Sequence, residues 1–292
     1  MIRLPFVLLA VSLGAGVAQA QEKIDRTLDV SPDGVVEIGN VSGSVEVTGW
    51  DRKEVHVTGT LGEGTEKLEF TTSNGRTVVE VKIPKHARNV EGSHLKINVP
   101  LKSSLEVSVV SAEIDVKHVN GTLDLESVSG GVTVDGDPVT VRAESVSGGI
   151  EIHASSEEIE AETVSGSVEI DGVKRRARVS SVSGGIDVTG ANLREANFES
   201  VSGSIRFNGG LEKDGRLEVS SHSGSVLLRL PASVSADFDV STFSGDIKNE
   251  LGPDARRTSR YTPGKELSFT TGSGSARVTV ESFSGSIRLL EK

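Results

Sequence analysis

Nine residues, ESVSGGIEI at Glu144–Ile152, return with small changes at Glu126–Val134, Glu162–Ile170, Ser180–Val188 and Glu199–Phe207. Looser copies begin at Ser220, Ser241, Thr270 and Glu281. The glycine that follows the serine stands at Gly130, Gly148, Gly166, Gly184, Gly203, Gly224, Gly245, Gly274 and Gly285, in steps of 18, 18, 18, 19, 21, 21, 29 and 11. A short internal period constrains the fold strongly, because one such unit cannot bury its own apolar face and must stack on its neighbours. Eighteen residues are too few for a propeller blade, and the unit has no helical stretch for a leucine-rich repeat. The spacing predicts an all-β fold, a single-chain β-solenoid (parallel β-helix-like) with about 18–21 residues per coil.

Inside each unit the apolar residues alternate, as they do in a strand with one face inside. One arm carries Val139/Val141/Ala143 and its equivalents Leu123/Leu125, Ile159/Ala161, Ala177/Val179 and Ala196/Phe198. The other carries Val132/Val134, Ile150/Ile152, Val168/Ile170 and Ile186/Val188. Between the arms the phase slips by one residue at S-G-[G/S]. That slip marks a corner where glycine supplies backbone angles closed to other residues and lets successive coils approach. The column Ser127, Ser145, Thr163, Ser181, Ser200, Ser221, Thr242, Thr271 and Ser282 is expected to form a hydroxyl ladder from coil to coil.

The opposite corners vary in length and charge and lengthen toward the C-terminus, where Asn249–Glu266 is the longest. In stacked repeats such insertions gather on one side, which is often the side that binds. Arg256, Arg257, Arg260 and Tyr261 concentrate positive charge and the single tyrosine there, and are the candidate interaction loop; simple tolerance of insertion is the other reading. Phe269, Phe283 and Leu289 suggest a wider core at the last coils. Residues 21–103 are a less regular β-rich capping segment, with turn signals at Asp33-Gly34 and Asn74-Gly75. Residues 104–292 are the solenoid repeats.

Residues 1–20 read as a secretory signal, with Arg3 before the apolar run Leu4–Val17 and a small-residue Ala18-Gln19-Ala20 cleavage pattern. With no cysteine, an exported chain must hold together by packing and hydrogen bonds alone. The formal net charge of −11 opposes binding to nucleic acid or anionic lipid. No membrane span is expected after signal cleavage.

The six histidines share no metal-ligand spacing, and no nucleophile elbow, P-loop or dinucleotide fingerprint occurs. The column Glu126, Glu144, Glu162 and Glu199 is either a solvated row or a place for a cation between carboxylates. No catalytic residue, metal site or cofactor is expected.

The units [VF]-S-G-[GSD]-[IV]-x-[VIFL], preceded by GVVEIGNVSGSVEVTGWDRKEVHV (Gly34–Val57) and LKINVPLKSSLEV (Leu95–Val107), resemble an exported bacterial β-strand-repeat family, DUF4097-like, whose members are often labelled adhesins. The chain departs from the pattern at Ala112, His222 and Gly272. The resemblance implies a repetitive all-β protein of the cell envelope, periplasmic or at the surface, and brings no site residues with it. The expectation is a non-catalytic exported scaffold or adhesive surface, monomeric, with a protein or glycan ligand of the envelope. A polysaccharide-acting β-helix enzyme and a self-assembling filament are the alternatives.

Overall fold

The computed structural model describes residues 22–85, 90–259 and 263–292, which form 23 strands. The expected leader, residues 1–20, lies outside them. In the middle of the chain each strand pairs in parallel with its own equivalent one period away. Thr122–Ser127 meets Thr140–Ser145 with Leu123 on Val141, Leu125 on Ala143 and Ser127 on Ser145. Glu158–Thr163 and Arg176–Ser181 continue the same ladder. The second arms build another ladder through Val132–Gly136, Ile150–Ala154 and Val168–Val173. Alternate residues of both ladders enter one shared core of Val, Ile, Leu and Ala, and each full burial of a Val, Leu or Ile contributes about 1.5–3 kcal/mol. Val139, expected to face inward with Val141 and Ala143, is exposed because the strand begins only at Thr140.

At both ends the order in space departs from the order in sequence. The isolated VSGSVEV belongs to the long strand Val35–Trp50, which pairs in parallel with Ser104–Lys117 from Val35 on Ser104 to Thr48 on Lys117. Its other side meets Arg76–Lys82 and Ser93–Pro100, again in parallel. Beyond those strands the pairing turns antiparallel. Lys67–Ser73 lies on Arg76–Lys82, Glu54–Leu61 on Ser93–Pro100, and Glu22–Asp29 on Glu54–Leu61. The hairpin at Asn74 and Gly75 takes φ of 51° and 77°, as a two-residue turn between twisted strands requires.

The C-terminal end is rearranged more deeply. Ala276–Ser284 lies between Ile205–Ser223 and Ala236–Ser244, and Ile287–Glu291 lies between Val226–Leu230 and Ile247–Asn249. The last repeat of the sequence is therefore inserted ahead of the one that precedes it. Lys265–Thr270 then closes the edge of Ala236–Ser244 in antiparallel fashion, with Phe269 stacked on Phe238 at 4.5 Å. The fold is all-β with mixed parallel and antiparallel pairing. A stack of repeats taken strictly in sequence order would leave bare strand edges, which are templates for aggregation.

The corner glycines explain how the repeats come so close. A Cβ on Gly148 would overlap the carbonyl oxygen of Gly130, and the same relation links Gly166 to Gly148, Gly184 to Gly166, Gly203 to Gly184 and Gly224 to Gly203. It continues from Gly285 to Gly224 and from Gly245 to Gly285. None of these glycines has a positive φ, so the need is for close backbone approach and not for unusual angles. Gly274 stands apart from the column. It sits in a turn at φ 66°, beside Asp237 and Thr270, because the chain has already turned there to place the last repeat.

Gly148→Ala is expected to cost at least about 2 kcal/mol, since the added methyl meets backbone that cannot step aside. Gly149→Ala, whose nearest neighbour would be Ser167 O at 3.5 Å, is expected to stay within about 1 kcal/mol of the parent. Urea denaturation of the two variants checks the contrast; equal losses would show that the corner yields.

Candidate functional site

The corner that repeats most faithfully is also where the surface is most distinctive. In Thr122–Ser127 the inward residues are Leu123, Leu125 and Ser127. The Ser127 hydroxyl accepts the Gly130 N–H at 2.9 Å, which closes a tight turn and leaves Val128 pointing outward. The same bond joins Gly148 to Ser145, Gly166 to Thr163, Gly184 to Ser181 and Gly203 to Ser200, at 2.8–3.0 Å. The expected coil-to-coil hydroxyl ladder is thus replaced by a bond within each repeat. Only long contacts cross between repeats, from Ser145 to Gly130 O at 3.5 Å and from Thr163 to Gly148 O at 3.4 Å. Thr271 is not in this column; it caps a turn by donating to Val234 O at 2.7 Å.

Repetition of the turn produces a ridge. Val110, Val128, Val146, Val164, Val182 and Val201 stand one above another, each 44–47% exposed. Backbone bonds run rung to rung beneath them, from Ser129 N to Val110 O, Ser147 N to Val128 O and onward to Ser223 N and Val201 O. Beyond Val201 the ridge becomes aromatic. His222 stacks on Phe283 at 4.8 Å and Phe283 on Phe243 at 5.0 Å, with planes within 3° and 7° of parallel. Phe283 therefore lies outside the core, contrary to the expectation of a wider apolar interior, because it occupies the outward corner position and not an inward strand position.

Beside the ridge runs the glutamate column. A trough of about 630 Å³ has the valines from Val110 to Val182 along one side and Glu126, Glu144 and Glu162 along the other, over the serine and threonine turn residues. Arginines of the neighbouring outward columns form ion pairs, one of them with the glutamate column itself. Arg142 holds Glu144 at 2.6 Å, Arg176 holds Glu158 at 3.1 Å and Glu195 at 3.3 Å, and Arg76 bridges Glu37 and Glu106 at 2.9 and 2.6 Å. The hydrogen-bonded Arg76 guanidinium holds the Glu106 carboxyl below its ordinary range. Glu126, Glu162, Glu199 and Glu281 have no ion-pair partner among the described residues.

The predicted interaction loop is only partly described. Arg256 and Arg257 are exposed on a two-residue strand paired with Glu266 and Lys265, while Arg260 and Tyr261 lie outside the described residues. Among the described residues no group of three or more His, Asp or Glu side chains could hold a metal ion, and no helix is long and apolar enough to cross a membrane. The valine ridge was missed at the level of sequence. Its signal was present: Val128 directly follows inward-facing Ser127, so strand alternation alone puts it outside.

On the second ladder, Glu151 hydrogen-bonds His153 at 2.8 Å and raises the imidazole pKa above its ordinary 6.5. A raised His pKa gives stability that is fully present below pH 6.5 and fades as pH rises through the folded value. An NMR titration is expected to place His153 above 6.5 in the parent and lower in Glu151→Gln.

Ser145→Ala strips the acceptor from a buried N–H and is expected to cost about 1–2 kcal/mol. Ser221→Ala removes a hydroxyl that has no partner and is expected to stay within about 0.5 kcal/mol. Thermal unfolding of the pair measures the difference.

Comparison with protein-family models matches residues 35–290 to the family described as Toastrack DUF4097. No curated protein matches the chain significantly in sequence. Among solved structures, a "putative adhesin" from Bacteroides fragilis is 15% identical, with 72% of this chain and 98% of that one covered at a TM-score of 0.48. A "putative adhesin" from Parabacteroides merdae is 14% identical, covering 71% and 96% at 0.42. A "putative lipid binding protein" from Parabacteroides distasonis is 12% identical, covering 92% and 96% at 0.43.

Proposed function

We propose, from the premise that this chain belongs to the Toastrack DUF4097 family, that it is a non-catalytic exported protein of the cell envelope, a rigid scaffold whose corner ridge is an adhesive or binding surface. One observation carries this reading: the same outward valine is presented six times at nearly equal exposure and is then extended by three stacked rings. Scattered apolar residues on a surface need no explanation, whereas a continuous apolar line marks an interaction site. The two parallel ladders support the finer reading of a β-solenoid, with residues 21–103 as a cap and 104–292 as its repeats. The apolar run at Leu4–Val17 supports export through cleavage of residues 1–20, to the periplasm or the cell surface. The antiparallel strands at both ends favour a monomer over a filament, since they occupy strand edges that stacking would use.

The valines are exposed, so charge can be placed on the ridge without disturbing the core. The triple variant Val128→Asp, Val146→Asp, Val164→Asp is expected to keep the parent's circular dichroism and to lose at least ten-fold in retention by envelope fractions. Co-sedimentation with envelopes from a deletion strain measures it. Equal retention of parent and variant would remove the ridge from the function.

A further inference from the structure

Two independent features select the chemistry of whatever lies on the ridge. The first is charge. Arg76 and Arg176 pair with Glu37, Glu106, Glu158 and Glu195 away from the ridge and Arg142 reaches Glu144 within the column, whereas Glu162, Glu199 and Glu281, directly beside the ridge, are exposed and without an ion-pair partner among the described residues. A line of like charges along an apolar wall is relieved by a partner that brings cations.

The second feature is at the aromatic end. In the upstream repeats the turn hydroxyl accepts a glycine N–H, but Ser221, Thr242 and Ser282, at least 94% buried, have hydroxyls with no hydrogen-bond partner. Ser221 and Ser282 line a cleft of about 340 Å³ together with Glu281, Phe243 and Phe283. The exposed Glu281 carboxylate and the exposed aromatic rings, over two buried and unpartnered hydroxyls, make a set of acceptors and π-density. That set fits an ammonium or guanidinium group with its N–H donors.

Spacing selects the form of the partner. Rungs of a parallel ladder are about 4.8 Å apart, while an extended strand repeats a side chain on one face only every ~6.6 Å. A helix advances about 5.4 Å per turn, close to one turn per rung. From Val146 through Val201 and His222 to Phe283 the ridge covers five steps, about 24 Å, which some 16 helical residues span.

The geometry points to a partner-protein helix that is amphipathic and basic, its apolar stripe against the valines and its Lys or Arg side chains on the glutamates, with one cation in the Glu281 cleft. The inference rests on the ridge being the binding face, and names the class of partner that face takes.

The probe is a fluorescent 17-residue Leu/Lys peptide with leucines at i, i+3, i+4 and i+7, titrated by anisotropy into the full mature chain. Saturable one-to-one binding is expected. It should weaken at least ten-fold in Phe243→Ser/Phe283→Ser and in Glu162→Gln/Glu199→Gln/Glu281→Gln. It should be unchanged in Glu151→Gln/Glu169→Gln on the other ladder, with circular dichroism confirming that each variant is folded. Equal binding of a scrambled peptide of the same composition, or equal weakening by the Glu151/Glu169 pair, would reduce the effect to general charge attraction and overturn the proposal. Binding of phosphatidylglycerol vesicles or a neutral glycan to the ridge, with no binding of the peptide, would also overturn it. If the aspartate variants lose envelope retention while the peptide fails to bind, the partner class is wrong and the surface stands. If neither measurement depends on the ridge, both readings fall.

Discussion

Close backbone approach at the corner is the constraint on which the rest of this molecule depends. Each repeat hydrogen-bonds to the same residues of the next, and at the turn the carbonyl of one glycine occupies the space where a side chain on the next would begin. Parallel register at one full period is possible only while that space is empty. Once it is satisfied, every position of a repeat is placed above the same position of the next. The core becomes columns of Val, Ile, Leu and Ala, the turn hydroxyls become a column of acceptors for glycine N–H groups, and the valine after each hydroxyl becomes a ridge.

Placing like above like has an electrostatic consequence. A glutamate repeated at the same position faces another glutamate one strand away, and like charges in such positions repel. The chain answers this on most of the outward face by alternating sign, as where Arg142 lies between Asp124 and Glu160 and Arg178 follows Glu160. Beside the ridge it answers only in part, with Ser180 interrupting the column and Arg142 reaching across to Glu144. The acidic row that is left borders the line of exposed valines, and this pairing gives the ridge its chemical character.

The ends follow a different logic. Antiparallel strands cover edges that stacked parallel strands expose, and at the C-terminal end Lys265–Thr270 covers Ala236–Ser244 while the last repeat is inserted one place early. That insertion also builds the aromatic stack. In sequence order His222 would neighbour Phe243, with Phe283 outermost; in the folded chain Phe283 is the middle ring. Edge protection and surface chemistry at this end therefore have one structural origin.

Much was legible in the sequence, because a period of 18 with period-two alternation inside it leaves a chain few ways to bury its apolar residues. The strands of the central repeats, the row of corner glycines and the inward residues apart from Val139 were readable from local pattern. The direction of the serine hydroxyl was not, since a hydroxyl can serve its own turn or its neighbour, and only the turn geometry chose the first. Gly274 matched the motif and still fell outside the column, because motif matching cannot see that the chain has turned back. The exposed valines were readable in principle from Ser127 and Val128 but resembled core residues in composition. What the amino-acid order determined was the repeating unit and its inward face, which depend on neighbours along the chain. What only the tertiary structure decided was the spatial order of the terminal repeats and the ridge they complete, because those depend on which edges remain uncovered once the middle has formed.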